Sequence, residues 1–257
     1  MNTAAVPFTT FDQSVRAALD RIRAQEVLAL EERILIKPNL VNDSPPPVTT
    51  PVSCCDALVR YIHSCSSASI VIAEGCGDVC RETEEIFRIH GYDLLAREHG
   101  LELIDLNSAP LRRLENPACP VFPEMHLPEL LFTHFLISVP VLKAHSLAEI
   151  TGSLKNMIGT APPSHYSSSH GTWKKAAFHG RMQQSIIDLN RYRSPDLSLM
   201  DASVGLAQHH LGGRTCAPPL SRIIAGWDPW DVDRRGADLL GLEWQQIAHL
   251  ADRPVTL

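Results

Sequence analysis

The sequence predicts an α/β fold, a three-layer sandwich built on a mainly parallel sheet of about six strands. Short runs of β-branched and other apolar residues recur along the chain, and segments with helical spacing separate them. The runs lack a strict alternation of apolar and polar residues, which is typical of strands that helices cover on both faces. Repeated strand–helix–strand units of this kind favour parallel pairing.

Six segments carry the strand pattern. They are 33–36 (RILI), 70–73 (IVIA), 102–105 (ELID), 135–139 (FLISV), 197–200 (LSLM) and 222–225 (RIIA). Helices are expected at 11–24, 54–65, 82–89, 92–99, 181–191, 231–240 and 244–251. The Pro-rich stretch 107–128 fits neither pattern, so we expect it to leave the sheet as an irregular excursion or a small hairpin.

Length and composition indicate a single globular unit. The 257 residues suffice for one large α/β domain, which we expect to span 1–257. The net charge of -6 disfavours nonspecific nucleic-acid binding. No run is long and apolar enough to cross a bilayer, and the first residues lack the pattern of a signal peptide. We therefore expect a cytoplasmic protein that binds neither nucleic acid nor membrane.

The cysteines indicate reduced thiols. Their number is seven, and an odd number without an export signal argues against a disulfide framework. Cys76 and Cys80 have the spacing CGDVC, which matches neither a usual zinc site nor a ferredoxin pattern. An iron–sulfur cluster held by this chain is therefore not expected, although a thiol or metal–sulfur site at this pair stays open.

Polar residues follow five of the six predicted strands. They are Lys37 and Asn39, Glu74, Lys143 and His145, Asp201, and Asp228. Ligands of open α/β sheets bind at the carboxyl ends of the strands, so we expect these groups to share an anionic-ligand site, a metal site or both. The carboxylates of Glu74, Asp201 and Asp228 are the candidate ligands of a divalent metal. Asp231 is expected to N-cap the helix that follows the last strand.

The segment 151–156, TGSLKN, is predicted to be a loop that turns into a helix. A helix start offers free backbone N–H groups, and a glycine lets an anion approach them. The spacing does not match a nucleotide phosphate loop, so a carboxylate or a single phosphate fits better. The candidate substrate-binding residues are Lys37, Asn39, Thr151, Gly152, Lys155 and Asn156.

Residues 160–178 are rich in Ser and His, and we expect them to form a lid loop over the site. His165 and His170 are candidates for proton transfer near neutral pH. Lys143, His145 and His165 are accordingly the candidate catalytic residues, because a lysine that is desolvated near other cations becomes a base or a nucleophile. Neither a G-x-S-x-G nor an H-E-x-x-H motif is present.

The order of these motifs resembles the domain-of-unknown-function family DUF362. The segments that carry the resemblance are 37–40 (KPNL), 49–51 (TTP), 140–145 (PVLKAH), 151–159 (TGSLKNMIG), His165, 199–205 (LMDASVG) and 227–233 (WDPWDVD). The resemblance extends from about residue 33 to residue 242. It implies an α/β domain that in many relatives accompanies ferredoxin-like iron–sulfur segments, and hence a redox partner protein. This chain departs from the pattern, because it has no CxxCxxC run and carries Val141 and Ala144 where relatives more often have Lys and Thr.

Two functions of different classes follow from these observations. The first is an enzyme that acts on a small anionic metabolite, a carboxylate or a phosphate, through a Lys/His/Asn site at the carboxyl edge of the sheet. Oxidation, elimination and group transfer all fit, and oxidation would need a partner protein or a bound cofactor. The second is a noncatalytic protein that senses or carries an anionic ligand, which requires the lysines but no proton-transfer residue.

Overall fold

The computed structural model describes residues 2–167 and 174–253. In these residues the strands are β1 (Thr3–Pro7), β2 (Arg33–Pro38), β3 (Ser69–Glu74), β4 (Glu102–Asp105), β5 (Leu111–Glu115), β6 (Glu124–Pro128), β7 (Phe135–Val139), β8 (Val141–His145), β9 (Glu149–Thr151), β10 (Leu197–Leu206) and β11 (Arg222–Gly226). The α-helices are α1 (Phe11–Arg21), α2 (Ala24–Leu28), α3 (Val52–Cys65), α4 (Thr83–Ile89), α5 (Tyr92–His99), α6 (Ser153–Asn156), α7 (Pro163–Tyr166), α8 (Met182–Tyr192), α9 (Pro229–Leu239) and α10 (Ala248–Ala251).

A large mixed sheet lies at the centre, in the order β1-β11-β10-β7-β2-β3-β4, with β8 paired to β10 and to β9. Pairing is parallel from β10 through β4, whereas β1, β11 and β9 pair antiparallel with their neighbours. All six predicted strands are present, but the predicted total of about six is wrong, since the described part of the chain places nine in this sheet. The three extra strands are β1, β8 and β9. Only Pro140 separates β7 from β8, so the apolar run 135–142 does not show where one strand ends and the next begins.

Helices cover the sheet because its side chains are buried on both faces. In β2, Ile34 and Ile36 pack into one hydrophobic core, together with residues of α1 and α3. Leu35 points to the opposite face and packs with Met125 of β6 and Leu189 of α8. This alternation explains why the strand sequences are apolar throughout.

The helix boundaries differ from the predicted ones by a few residues, for reasons of capping. Thr10 accepts a hydrogen bond from the Gln13 amide at the start of α1. Asp228, and not Asp231, is the N-cap of α9, since its carboxylate accepts from the Trp230 amide at 2.9 Å. The last predicted helix is shorter than expected, because a 3-10 turn at Trp244–Gln246 precedes α10.

The stretch 107–128 contains a two-stranded hairpin, in which β5 pairs antiparallel with β6. The hairpin is anchored to α8, because the Asp188 carboxylate accepts from the amides of Val121 and Phe122 at 2.7 and 3.0 Å. The predicted lid loop 160–178 lies partly outside the described residues. The parts that are described pack into the fold, and Tyr166 and Phe178 are buried beside the hairpin.

No helix within the described ranges combines the length and the apolar character needed to traverse a lipid bilayer.

Leu136→Ala tests the core under the central strand β7. The side chain is fully buried, so its truncation is expected to lower the free energy of unfolding by about 2–5 kcal/mol. The matched control is Leu30→Ala, because Leu30 is 82% exposed and should change stability by less than about 0.5 kcal/mol. Urea denaturation measures both values, and equal losses would contradict the described packing.

Candidate functional site

A cavity of about 350 Å³ opens at the carboxyl ends of β2, β3 and β8. Five of its polar wall residues come from three strand ends and from α6. They are Asn39 after β2, Glu74 at the end of β3, His145 at the end of β8, and Lys155 and Asn156 in α6. The structure therefore brings together residues that lie more than a hundred positions apart in sequence, as the strand-end pattern predicts.

A buried ion pair lies beside this cavity. The Lys37 ammonium donates to both oxygens of Glu74 at 3.0 and 2.9 Å, and to Asn156 Oδ1 at 3.2 Å. Glu74 also accepts from the backbone amides of Leu40 and Gly75. Burial lowers the pKa of Lys37, and the carboxylate opposes that effect by favouring the charged form. All N–H groups of Lys37 are engaged, so its role is to hold the strand ends together.

Lys143 is buried below Asn39 and is not part of the cavity wall. Its ammonium donates to Asn39 Oδ1 at 2.6 Å and to the Val48 carbonyl at 2.7 Å. Burial, reinforced by the nearby charge of Lys155, lowers the pKa of Lys143 well below its usual value. The bond from Lys143 to Oδ1 fixes the orientation of the Asn39 amide. Its Nδ2 group has no hydrogen-bond partner in residues 2–167 and 174–253.

His145 is a hydrogen-bond donor toward the cavity. Its Nδ1 accepts from the amides of Leu147 and Ala148 at 3.0 and 3.1 Å, which places the proton of the neutral ring on Nε2. Burial, with the positive charge of Lys155, lowers the pKa of His145 to about 2. The ring therefore stays neutral at physiological pH, and Nε2–H makes no hydrogen bond within the described part of the chain, although the residue lines the cavity.

Lys155 contributes a lysine amine to the cavity wall. It lines the cavity next to apolar Ile158, Phe178 and Met182. Among the residues that the structure describes, its Nζ has no hydrogen bond and no ion pair. Burial lowers the pKa of Lys155 to about 8, so roughly a tenth of the side chain is a neutral amine at pH 7.

Lys175 also lines the cavity, and the sequence analysis assigned it no role. Its Nζ donates to Asn107 Oδ1 at 2.8 Å and to the carbonyls of Gly159 and Ala161 at 3.0 and 2.6 Å. Burial lowers the pKa of Lys175 to about 7. Once charged, the side chain has no N–H left for a ligand. The amino-acid composition contained a signal for it, because five of the 23 basic residues are lysines and all five lie at this edge of the fold.

The protein's own carboxylate occupies the start of α6. The carboxylate of Asp233 accepts from the amides of Ser153 and Leu154 at 2.6 and 3.0 Å. A Cβ on Gly152 would overlap that carboxylate. Thr151 and Gly152 also lie outside the cavity wall, so the assignment of a ligand to them is corrected: the protein's own carboxylate fills this position. Burial raises the pKa of Asp233 to about 7.

The Asn156 side chain likewise forms its hydrogen bonds with other residues of the protein. Its Oδ1 accepts from Lys37, and its Nδ2 donates to the Lys37 carbonyl at 3.2 Å and to Ser138 Oγ at 3.0 Å. All the hydrogen-bonding capacity of the amide is therefore used within the protein except for one lone pair. Asn156 positions Lys37 and, through the short helix α6, its own neighbour Lys155.

The three candidate metal ligands do not converge. Glu74 pairs with Lys37, Asp201 accepts from the Ser203 amide at 2.8 Å, and Asp228 caps α9 and pairs with Arg253. Residues 2–167 and 174–253 contain no group of three or more His, Cys, Asp or Glu side chains placed to hold a metal ion. The expected site of Glu74, Asp201 and Asp228 is therefore corrected, because each carboxylate already has a structural partner.

Cys76 and Cys80 differ in their surroundings, since Cys76 is buried and Cys80 is exposed. Lys174 Nζ lies 3.8 Å from the sulfur of Cys76. Burial raises the pKa of Cys76, so the thiol form is favoured at neutral pH. The pair is therefore not arranged as two thiolate ligands of one metal.

Two of the histidines considered for proton transfer, His145 and His179, line the cavity, whereas His165 does not. His165 is exposed and stacks on His126 of the hairpin, with ring centroids 4.0 Å apart, and it lies outside the cavity wall. His170 lies outside the described residues. His179 and His210 do line the cavity, and the His210 ring stacks on His145 at 3.8 Å. The sequence contained no periodic signal for His210, because it lies in a loop after β10.

The model of one protein family, described as a domain of unknown function (DUF362), matches residues 34–238. The chain belongs to the DUF362 family. This agrees with the resemblance seen in the order of the sequence motifs. Among curated proteins, none matches the chain.

Solved structures with a similar fold include that of the lactate racemase apoprotein from Thermoanaerobacterium thermosaccharolyticum, with a TM-score of 0.57 and 14% sequence identity. The match covers 94% of this chain and 56% of that chain. The DUF362 chain thus spans little more than half the length of that protein, and the likeness concerns the fold.

Glu74→Gln tests the buried ion pair. The substitution leaves the Lys37 charge buried without a counter-ion, so we expect a loss of about 3–5 kcal/mol in the free energy of unfolding. The control is Glu124→Gln, which breaks an exposed pair with Arg113 and should cost less than about 1 kcal/mol. Chemical denaturation compares the two, and a loss at Glu74 no larger than at Glu124 would refute the structural role.

Gly159→Ala tests the close packing of backbone on the ion pair. A Cβ at Gly159 would overlap Glu74 Oε1 and lie 2.5 Å from Lys37 Nζ, so the pair has to shift. We expect destabilisation of about 1–3 kcal/mol. Gly180→Ala is the matched control, because a Cβ there meets no atom within 4 Å. Similar melting temperatures for the two variants would show that Gly159 is not tightly packed.

Proposed function

We propose that the protein is an enzyme that binds a small carboxylate or phosphate compound in the cavity and transfers a proton through Lys155. One observation carries the proposal. Lys155 is a half-buried amine on the wall of a small, partly apolar cavity, and the described residues offer its Nζ no acceptor. A cation that is partly desolvated and has no partner is unfavourable, and an anionic ligand would relieve that cost.

Two further donors favour an anion at the same place. Asn39 Nδ2 and His145 Nε2–H belong to side chains of the same wall, and both are oriented by hydrogen bonds on their other polar atom. Glu74 is the acidic residue of the wall, but Lys37 and two backbone amides already neutralise it. A carboxylate or phosphate could accept from Lys155, Asn39 and His145 together, and hydrogen bonds to a charged acceptor are strong.

Lys155 also suits proton transfer. With a pKa of about 8, the amine can accept a proton from a bound substrate at neutral pH. The ammonium so formed then stabilises the negative charge that develops on the substrate. His145 stays neutral and contributes a preorganised N–H. Lactate racemase, whose fold is similar, is named for a small hydroxycarboxylate. That name supports a small carboxylate as the class of ligand, and it supports nothing about the reaction.

Anion binding is expected to weaken as pH rises through about 8, because the Lys155 ammonium that attracts the anion then loses its proton. Isothermal titration calorimetry at several pH values measures the affinity for lactate and for inorganic phosphate. Lys155→Met should bind at least about tenfold more weakly near pH 7, whereas Lys155→Arg should retain affinity above pH 8. Lys174→Met is the control, since Lys174 pairs with Glu82 outside the cavity wall. Binding by the unaltered protein that does not change with pH would contradict the proposal.

A second experiment separates an enzyme from a noncatalytic binding protein. Small hydroxy acids, oxo acids and phosphate monoesters are incubated with the protein in deuterium oxide, and proton NMR follows the loss of C–H signals. Lys155→Arg should keep anion binding but lose about a hundredfold or more in exchange, because a guanidinium does not accept a proton at neutral pH. Binding without exchange or turnover of any compound would favour the carrier or sensor function.

A further inference from the structure

We propose that the substrate carries a carbonyl group next to its acid group, and that Lys155 condenses with this carbonyl to form an imine. The inference rests on the proposed function, because the acid group has to bind in the same cavity. It narrows the ligand class from small anions in general to short oxo acids and related carbonyl compounds.

The first argument is the contrast between Lys155 and the other lysines. Each of the other four is held by acceptors at hydrogen-bond distance: Lys37 by Glu74 and Asn156, Lys143 by Asn39 and Val48, Lys174 by Arg81 and Glu82, and Lys175 by Asn107, Gly159 and Ala161. An amine that donates to two or three oxygens cannot attack a carbonyl carbon without breaking those bonds. Lys155 has no such bond in the part of the chain that is described.

The second argument is the surroundings of the amine. The side chains of Ile158, Phe178 and Met182 line the cavity around it, and no carboxylate pairs with it in residues 2–167 and 174–253. Desolvation by these surroundings disfavours the protonated form of Lys155. An unpaired lysine that is desolvated beside apolar side chains is an environment that generates a nucleophilic amine. The lowered pKa of Lys155, about 8, agrees with this geometry.

The third argument is that the cavity wall keeps hydrogen-bond donors for the acid group of the substrate after Lys155 has condensed with its carbonyl group. Once Lys155 forms a bond to carbon, it no longer holds the acid group as a free ammonium. Asn39 Nδ2 and His145 Nε2–H remain available on the same wall for that group. A cavity of about 350 Å³ limits the compound to a small molecule, so its carbonyl and its acid group have to be close together.

The step balances without an oxidant or a reductant. The neutral amine attacks the carbonyl carbon, a C–N bond forms, and one N–H proton passes to the carbonyl oxygen, which becomes a hydroxyl. The hydroxyl then leaves with the remaining N–H proton as water, and a C=N bond forms. Addition of one proton from solvent gives the iminium form, which withdraws electrons from the adjacent carbon and so eases loss of a proton or of carbon dioxide there.

Borohydride trapping tests the inference. The protein is incubated with pyruvate or glyoxylate and reduced with sodium borohydride, and the modified residue is located by peptide mass spectrometry. We expect one reduced adduct on Lys155, at least about tenfold more abundant than on any other lysine. Lactate has neither a ketone nor an aldehyde group, so it should leave no reduced adduct on the protein. Lys155→Arg retains the charge but should show no adduct at residue 155.

The outcomes separate this inference from the proposed function. If lactate and phosphate bind but neither oxo acid is trapped on Lys155, the imine is refuted and the anion site stands. If adducts appear equally on Lys174 and Lys155, the reactivity is not specific and the imine is again refuted. If neither anion binds, or if Lys155→Met binds both anions as tightly as the unaltered protein does, the proposed function itself fails.

Discussion

The ion pair between Lys37 and Glu74 is the interaction on which the site depends. It joins the ends of two adjacent parallel strands, and both side chains are buried. Asn156 bonds to the same ammonium, and the backbone of Gly159 packs directly over the pair. The short helix α6 is therefore tied to the sheet at its far end by this pair, while Asp233 holds its first turn. Lys155 lies between these two attachments, so its position follows from them.

The five lysines show how acceptors decide the role of one residue type. A lysine that meets a carboxylate or several carbonyls at this edge is a structural cation, as Lys37 and Lys175 are. A lysine that meets none keeps its N–H groups free for a ligand, as Lys155 does in the part of the chain that the structure describes. Burial alone does not distinguish the two cases, because it lowers the pKa of all three side chains. The difference lies in the number of hydrogen bonds that each nitrogen already makes.

The sequence predicted the six main strands and the convergence of strand-end residues, because both follow from local patterns and from parallel topology. It could not show which of those residues face the cavity. Lys37 and Lys155 belong to equally polar motifs, and only the contact of Lys37 with Glu74 separates their roles. The capping of α6 by Asp233 joins segments about eighty residues apart, so TGSLKN alone resembles an open anion site. β9 has only three residues, and β1 (TAAVP) contains a single β-branched apolar residue, so neither gave a strand pattern. Both pair antiparallel at the margins of a sheet that was expected to be mainly parallel.

The loop after β10 contributes Leu211 and His210 to the cavity without taking part in the ion pair or in its hydrogen bonds. This loop meets the strand-end residues of the wall through the stacking of His210 on His145. Replacement of the bulky side chain at Leu211 would enlarge the space while the amine and its supports keep their places. The size of molecule that the cavity admits is thus set partly by a residue that takes no part in holding Lys155.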